Sequence, residues 1–218
     1  FYHSSGVCTD TRKIEPGCLF ICLSGDNFNG NAFAVQALKL SAKHVISDDA
    51  AYCTEERIHL VENTLDYLQQ LANFHRQKFN IPVIGITGSN GKTSTKELVR
   101  EVLSKKFKVI ATEGNLNNHI GVPLTLLRLN ESHEIAIIEM GANKFKDIEE
   151  LCNIAEPTYG IITNIGKAHL QGFLNFEGVL KNKKELYTAV SKKGGTLFYN
   201  HDNDILKSNL PVGTKTFS

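Results

Sequence analysis

The chain has no tryptophan, one methionine and only 5 prolines in 218 residues. It also lacks any long apolar run: stretches such as residues 81–86 fall far short of the ~20 residues that a membrane-spanning helix needs. No excess of one charge is present either, since 24 basic residues face 23 acidic ones for a net charge of +1. That balance implies no strongly basic surface, though it leaves room for a local patch, and with no stripe of interleaved aromatic and basic residues nucleic-acid binding is unsupported. The 5 cysteines (Cys8, Cys18, Cys22, Cys53, Cys152) are odd in number, form no C-x-x-C, and pair with no histidine at zinc-finger spacing. They read as reduced, mostly buried thiols of a cytoplasmic protein rather than a disulfide framework. No basic segment followed by an apolar one opens the chain, so no secretion signal is visible. Its first residue is Phe1 rather than Met, which leaves room for a native start upstream. No internal repeat or low-complexity tract occurs. What remains is ordinary globular composition, 41% hydrophobic and 22% charged, ample for one large or two small cores.

Residues 1–80 mix short strands and helices. Residues 6–10 and 18–23 read as strands around a turn at Glu15-Pro16-Gly17, 31–40 as a helix, 44–47 and 58–61 as strands, and 64–79 as a helix with its apolar residues on one stripe. Asn80-Ile81-Pro82 breaks that pattern, and the domain boundary is expected there, giving domains 1–80 and 81–218. Beyond it a regular alternation begins: strands at 83–87, 108–111, 134–139, 159–165 and 196–199, and helices at 92–105, 121–129, 148–155 and 176–190. Strands apolar on both faces that alternate with helices predict a doubly wound, mostly parallel α/β sheet. Such sheets bind ligands beyond the carboxyl ends of their strands, where every polar cluster described next falls.

The most specific of these clusters is Gly85-Ile86-Thr87-Gly88-Ser89-Asn90-Gly91-Lys92-Thr93-Ser94, placed between a strand and a helix. Glycines allow a tight turn that points successive amides at one anion, and the helix N-terminus adds positive potential. Lys92 is placed to reach outer phosphates, and the Thr93 hydroxyl suits magnesium. The spacing is not the strict G-x-x-x-x-G-K-[ST], because Ile86 stands five residues before Gly91. This departure argues against an ordinary GTPase or motor ATPase. The plainer alternative is a glycine-rich turn with an incidental Gly-Lys-Thr.

Glu139 ends the strand Ile135-Ala136-Ile137-Ile138. It is either a metal-binding carboxylate facing the phosphate loop or an exposed strand-end residue. His169, in Thr163-Asn164-Ile165-Gly166-Lys167-Ala168-His169, is either a metal ligand or a loop histidine. Lys181, Lys183 and Lys184 read by default as a solvated helix face. Asn117-Asn118-His119-Ile120-Gly121-Val122-Pro123 is a polar loop or a capped turn entering a helix.

Together these segments resemble the Mur ligase family of bacterial cell-wall synthesis. The loop 87–93, Asn117-Asn118-x-x-Gly121-Val122-Pro123, Glu139 and 163–170 occur in that family's order, and the loop shares its departure from the strict spacing. Glu139-Met140-Gly141-Ala142-Asn143 resembles the branch that adds D-alanyl-D-alanine. Cys8-Thr9-Asp10-Thr11-Arg12 and residues 23–30 resemble the amino-terminal domain that holds the UDP-sugar precursor. The resemblance covers nearly the whole chain. It implies three domains, of which these residues supply the first and most of the second, so the 218 residues alone are expected to bind ligands without efficient turnover.

The resemblance further implies ATP-dependent amide formation through an acyl phosphate. It assigns Gly88 to Ser94 to the nucleotide, with Lys92 on the phosphates, and places Asn200 and Asp202 near the adenine. Thr93 and Glu139 would hold a first magnesium, and His169 a second. Lys183 falls where the family carries a carbamylated lysine, with Lys181 as the alternative. Thr9, Asp10, Thr11, Arg12, Gly25, Asp26, Asn29 and Gly30 would bind the UDP-linked substrate, and Asn117, Asn118 and Asn164 also fall to substrate. The implied partners are a UDP-muramoyl peptide and D-alanyl-D-alanine, handled by a monomer without membrane span. A sister amide ligase and a phosphate-loop NTPase switch module are the competing readings; the second leaves Glu139, His169 and Lys183 without a role.

Overall fold

The computed structural model describes residues 1–166 and 176–218. The chain divides into two compact units, Phe1–Leu71 and Ala72–Ser218. In the first, β1 (Val7–Cys8), β2 (Leu19–Ile21), β3 (His44–Ser47) and β4 (Ile58–Leu60) form a parallel sheet in chain order. The interior strand β2 is buried throughout, as its uninterrupted apolar run requires. Helix α1 (Ala34–Lys39) packs Ala34, Ala37 and Leu38 against Phe20, Val45 and Ile58. The helical pattern at 31–40 begins as a 3-10 turn, Gly30–Phe33, because the Asn29 side chain accepts the Asn31 amide and tightens the entry.

Helix α2 (Thr64–Arg76) spans the division. Its first turn belongs to the first unit, where Asp48 accepts the Thr64 amide at 3.0 Å. Its last turn belongs to the second, where the Asn73 side chain donates to the carbonyls of Asn153 and Ile154 at 3.0 Å, and Arg76 Nε donates to Ala155 at 3.1 Å. The division therefore falls upstream of the Asn80-Ile81-Pro82 break. Helix α2 ends at Arg76, ahead of that break, and the hydrogen bonds to residues 153–155 begin at Asn73.

The second unit contains β5 (Val83–Thr87), α3 (Lys92–Leu103), β6 (Val109–Ala111), α4 (Gly121–Leu126), β7 (Ile135–Glu139), α5 (Asp147–Ala155) and β8 (Tyr159–Ile162). Then come α6 (Phe176–Lys192), β9 (Thr196–Phe198), α7 (Asp204–Ser208) and β10 (Lys215–Phe217). Its parallel sheet has the order β10-β9-β8-β5-β7-β6. After β5 the chain builds β6 and β7 on one side, then crosses to β8 on the other, so the reversal point lies at the end of β5. The registers Ile86↔Glu139 and Thr87↔Ile162 bring the ends of β7, β5 and β8 side by side. Helix α6 lies so close to this sheet that a Cβ on Gly85 would stand 2.8 Å from Leu186 Cδ1. The short α7 and the half-exposed β10 carry no strong apolar period, and the sequence pattern did not reveal them. Among the described residues no helix is long and apolar enough to cross a membrane.

Candidate active site

The phosphate loop leaves β5 with two glycines in the left-handed region, Gly88 at φ +146° and Gly91 at φ +77°. At Gly88 a side chain is also excluded by space, since a Cβ would meet Thr163 Oγ1 at 2.0 Å. Gly91 caps α3 without a side-chain partner for the first-turn amides, which leaves these donors for an anion. Lys92 Nζ folds back onto the Gly88 and Ser89 carbonyls at 2.9 and 3.4 Å. The loop is braced from the end of β8. Asn164 accepts the Asn90 amide at 3.1 Å and donates to the Asn90 carbonyl at 3.0 Å, Thr163 Oγ1 donates to that carbonyl at 2.6 Å, and Ser89 Oγ accepts the Gly166 amide at 2.9 Å. Asn164 thus shapes the loop. Ser94 is exposed on the first turn of α3.

Glu139 ends β7 and is 1% exposed, so it is not a strand-end residue in solvent. Its Oε1 accepts from Thr93 Oγ1 at 3.2 Å and from Asn117 Nδ2 at 2.8 Å. Its Oε2 is buried without a hydrogen-bond partner, 3.7 Å from Lys96 Nζ. Lys96 is fully buried and donates to the Thr112 and Gly114 carbonyls at 2.7 and 3.1 Å. The sequence reading missed Lys96. A signal existed: Lys96, Val99 and Leu103 recur at helical spacing, and Val99 and Leu103 pack on the core. A lysine in an apolar stripe needs a reason. A magnesium ion fits this cluster, because the orphaned carboxylate oxygen and the Thr93 hydroxyl are the hard oxygen donors it prefers.

Lys183, on α6, is 2% exposed, whereas Lys181 is exposed and lies 6.0 Å over the Phe145 ring. Burial, and then the charge of Lys92, push the Lys183 amine down to about 8. Asn182 and Glu185 beside it are structural. Asn182 donates to the Lys144 carbonyl at 3.1 Å, and Glu185 accepts the Lys146 and Glu149 amides at 3.1 and 3.0 Å, tying α6 to the start of α5. His169 and its neighbours Lys167, Ala168 and Leu170 lie outside the described residues.

The two asparagines before α4 separate in role. Asn117 reaches Glu139, while Asn118 Oδ1 accepts the Ile120 and Gly121 amides at 3.1 and 2.9 Å and caps the turn. Beyond the ends of β8 and β9, Thr95, Ile162, Thr163, Tyr199 and Asn200 line a cavity of about 400 Å³. Asp202 is not part of its lining; its amide donates to Asn200 Oδ1 at 3.0 Å.

The first unit is described separately. Asp10 caps the 3-10 turn Thr11–Lys13 and pairs with Arg12 in two-point contact at 2.7–3.2 Å. The guanidinium holds the Asp10 carboxyl down to about 2. Gly25 pairs with Phe28 in an isolated bridge around exposed Asp26. Asn29 accepts the Asn31 amide, and at Gly30 a Cβ would meet the Leu23 carbonyl oxygen at 2.1 Å. Thr9 and Thr11 are half-buried. All five cysteines are free, with Cys18, Cys22 and Cys152 buried.

Comparison with known proteins identifies the family. Residues 86–217 match the model of the Mur ligase middle domain, and residues 3–76 that of the Mur ligase family catalytic domain. The chain is 42% identical over 214 residues to UDP-N-acetylmuramoyl-tripeptide–D-alanyl-D-alanine ligase of Bacillus subtilis, covering 97% of this chain and 47% of that protein. It is 36% identical over 209 residues to the Escherichia coli ligase of the same name, covering 96% and 46%. Among solved structures, MurF ligase from Thermotoga maritima in complex with ADP superposes with a TM-score of 0.89 at 32% identity, over 97% of this chain and 49% of that one. MurF from Acinetobacter baumannii superposes with a TM-score of 0.87 at 31% identity, over 97% and 47%. The chain spans about half the length of the curated relatives it matches. With both of its units matched to the family's models, the chain belongs to the Mur ligase family.

Proposed function

We propose that this chain forms the precursor-binding and ATP-binding parts of a bacterial ligase that joins D-alanyl-D-alanine to a UDP-N-acetylmuramoyl tripeptide. One observation carries the reading: the buried Glu139 carboxylate meets the phosphate-loop Thr93 at 3.2 Å with its second oxygen unpartnered. An NTPase switch leaves no role for a second buried lysine within reach of the Lys92 charge, yet Lys183 is one. The names and identities of the relatives support the substrate pair, and the ADP complex of a relative supports the nucleotide.

A carboxylate is a poor electrophile, so the tripeptide carboxylate oxygen first attacks the γ-phosphorus of ATP. The bond to the bridging oxygen breaks, ADP leaves, and an acyl phosphate forms. The dipeptide amine then attacks the acyl carbon, loses a proton, and expels inorganic phosphate. The chain contributes mainly position and charge. Lys92 leaves its loop carbonyls for the β- and γ-phosphates, and the uncapped α3 amides hold the same oxygens. Asn164 and Thr163 keep the loop in shape, and Asn117 orients Glu139. Thr93 and Glu139 would hold magnesium, which when bound neutralises phosphate charge. His169 and a carbamylated Lys183 would hold a second ion. Carbamylation needs the neutral amine, which attacks carbon dioxide and releases a proton. Relative to an ordinary lysine, a pKa of about 8 raises the neutral fraction near pH 7.5 about two-hundred-fold. Asn200 borders the cavity proposed for adenine. In the first unit, Arg12 and the 25–30 loop would meet the UDP-linked substrate. The enzyme would work as a cytoplasmic monomer.

The test is ADP formation by the full-length native chain with UDP-muramoyl tripeptide and D-alanyl-D-alanine, added singly and together. ADP that appears only with both, alongside a UDP-linked pentapeptide, is the expected result. Equal ADP formation without either would reject the ligase in favour of the switch module.

A further inference from the structure

A second polar cluster lies in the turn before α4 and the first turn of α5, and nothing in the ligase chemistry uses it. His119 comes from the turn, and Asp147 and Glu150 from α5, where i,i+3 spacing puts both on one face. His119 Nε2 stands 2.7 Å from Glu150 Oε2 and 3.8 Å from Asp147 Oδ1. The three atoms lie within 4.8 Å of one another.

Asp147 is the informative member. It is 5% exposed. Its Oδ2 accepts the Asn143 and Lys144 amides at 2.8 and 2.9 Å, which fixes the side chain. Its Oδ1 then faces His119, buried and without a hydrogen-bond partner. A plain His119–Glu150 ion pair satisfies Glu150 and leaves this oxygen stranded, which is costly for a buried charged group. A cation bonded to all three atoms satisfies every one of them.

The geometry suits such an ion. Two donors about 2.0–2.1 Å from a tetrahedral ion stand about 3.3 Å apart, and the observed 2.7 and 3.8 Å bracket that value. Glu150 is half-exposed and able to shift, whereas Asp147 is locked. One imidazole and two carboxylates, with no thiolate, select a zinc-type ion over calcium or magnesium. Three protein ligands leave a fourth position for solvent.

We propose that His119, Asp147 and Glu150 form a binding site for a divalent transition-metal ion of the zinc class, separate from the Thr93–Glu139 cluster. The bound ion would clamp the turn that carries Asn117 onto the start of α5.

Cobalt(II) alone, titrated into chelator-treated full-length protein and followed by visible absorption, tests this. One equivalent with ligand-field bands and no thiolate charge-transfer band is expected. His119→Ala and Glu150→Gln should each weaken that equivalent by at least about 100-fold, while Glu139→Gln leaves it in place. His119→Asn guards against misfolding: it too must lose the cobalt while keeping the parent's unfolding midpoint. If the variants do not fold, crystals of the parent soaked in zinc chloride decide. Anomalous density bonded to His119 Nε2, Asp147 Oδ1 and Glu150 Oε2 supports the site, and its absence there overturns it. Cobalt binding that survives His119→Ala, or that is lost in Glu139→Gln instead, also overturns it.

Discussion

The two units are both parallel sheets, yet they treat buried polar groups in opposite ways. In the first, the strands follow chain order, and the buried polar side chains Asn31, Ser47 and Thr64 are neutral and hydrogen-bonded. In the second, the strand order reverses at β5. There, Lys96, Glu139, Asp147 and Lys183 are buried, and Glu139 Oε2 and Asp147 Oδ1 lack hydrogen-bond partners. A fold tolerates stranded buried charge only where something else completes it. The first unit completes itself, and its candidate ligand contacts are surface loops. The second holds an arrangement that nucleotide and cations would satisfy.

The largest break of this contrast comes from Glu139. Glu139→Gln keeps the shape and removes the charge, and ADP formation by the full-length chain should fall at least about 1,000-fold. Glu139→Ala should also lower stability by about 1–3 kcal/mol, as read from the thermal midpoint, because Asn117 loses its acceptor and buried Lys96 keeps only Glu97 at 3.1 Å and the Thr112 and Gly114 carbonyls. Asp26→Ala, at an exposed position in the first unit's 25–30 loop, should not lower stability.

Next in size is Gly88→Ala. Its Cβ would stand 2.0 Å from Thr163 Oγ1 at a φ of +146°, so a loss of about 2–4 kcal/mol and of nucleotide binding is expected. Gly91→Ala meets open space at φ +77° and should cost only about 1–2 kcal/mol. Equal effects at the two glycines would show that crowding against β8 does not shape the loop.

Lys183 gives a pH signature. The unfolded chain holds its proton up to about 10.5, and the folded chain releases it near 8. Between those values the unfolded state binds more protons, so stability rises with pH. Below pH 8 the cost of the buried ammonium is fully present, at about 3 kcal/mol. In buffer free of carbon dioxide, Lys183→Met should be more stable than the parent near pH 7, and the gap should close between pH 8 and 10.5. A constant gap would mean that Lys183 titrates normally.

The smallest effect on stability belongs to the first unit. Arg12 and Asp10 pair in solvent, and such pairs contribute little. Arg12→Ala should leave the thermal midpoint unchanged while weakening the UDP-linked substrate, measured by calorimetry.

These residues also show what the sequence makes legible. The β5–loop–α3 segment was readable because a buried strand, a glycine turn and an amphipathic helix each leave a local pattern. Glu139 was readable as a strand end, but its burial was not, since that depends on β5 and β6 flanking β7. Lys183 stood out from Lys181 and Lys184 only by resemblance, because spacing alone does not show which face of α6 meets the sheet. Lys96 hid within a run of polar residues opening α3. The cluster of His119 with Asp147 and Glu150 joins segments 28 residues apart along the chain, and no motif spans them. The short β10 is fixed by pairing with β9 rather than by periodicity, and α7 is too short to show a period.

The most direct test of the central claim is a crystal structure of the full-length chain with magnesium and a non-hydrolysable ATP analogue. Lys92 Nζ is expected to leave the Gly88 and Ser89 carbonyls for the phosphates, with magnesium bonded to Thr93 and Glu139. A nucleotide bound elsewhere, with Lys92 still on its loop and Glu139 Oε2 still unpartnered, would contradict it.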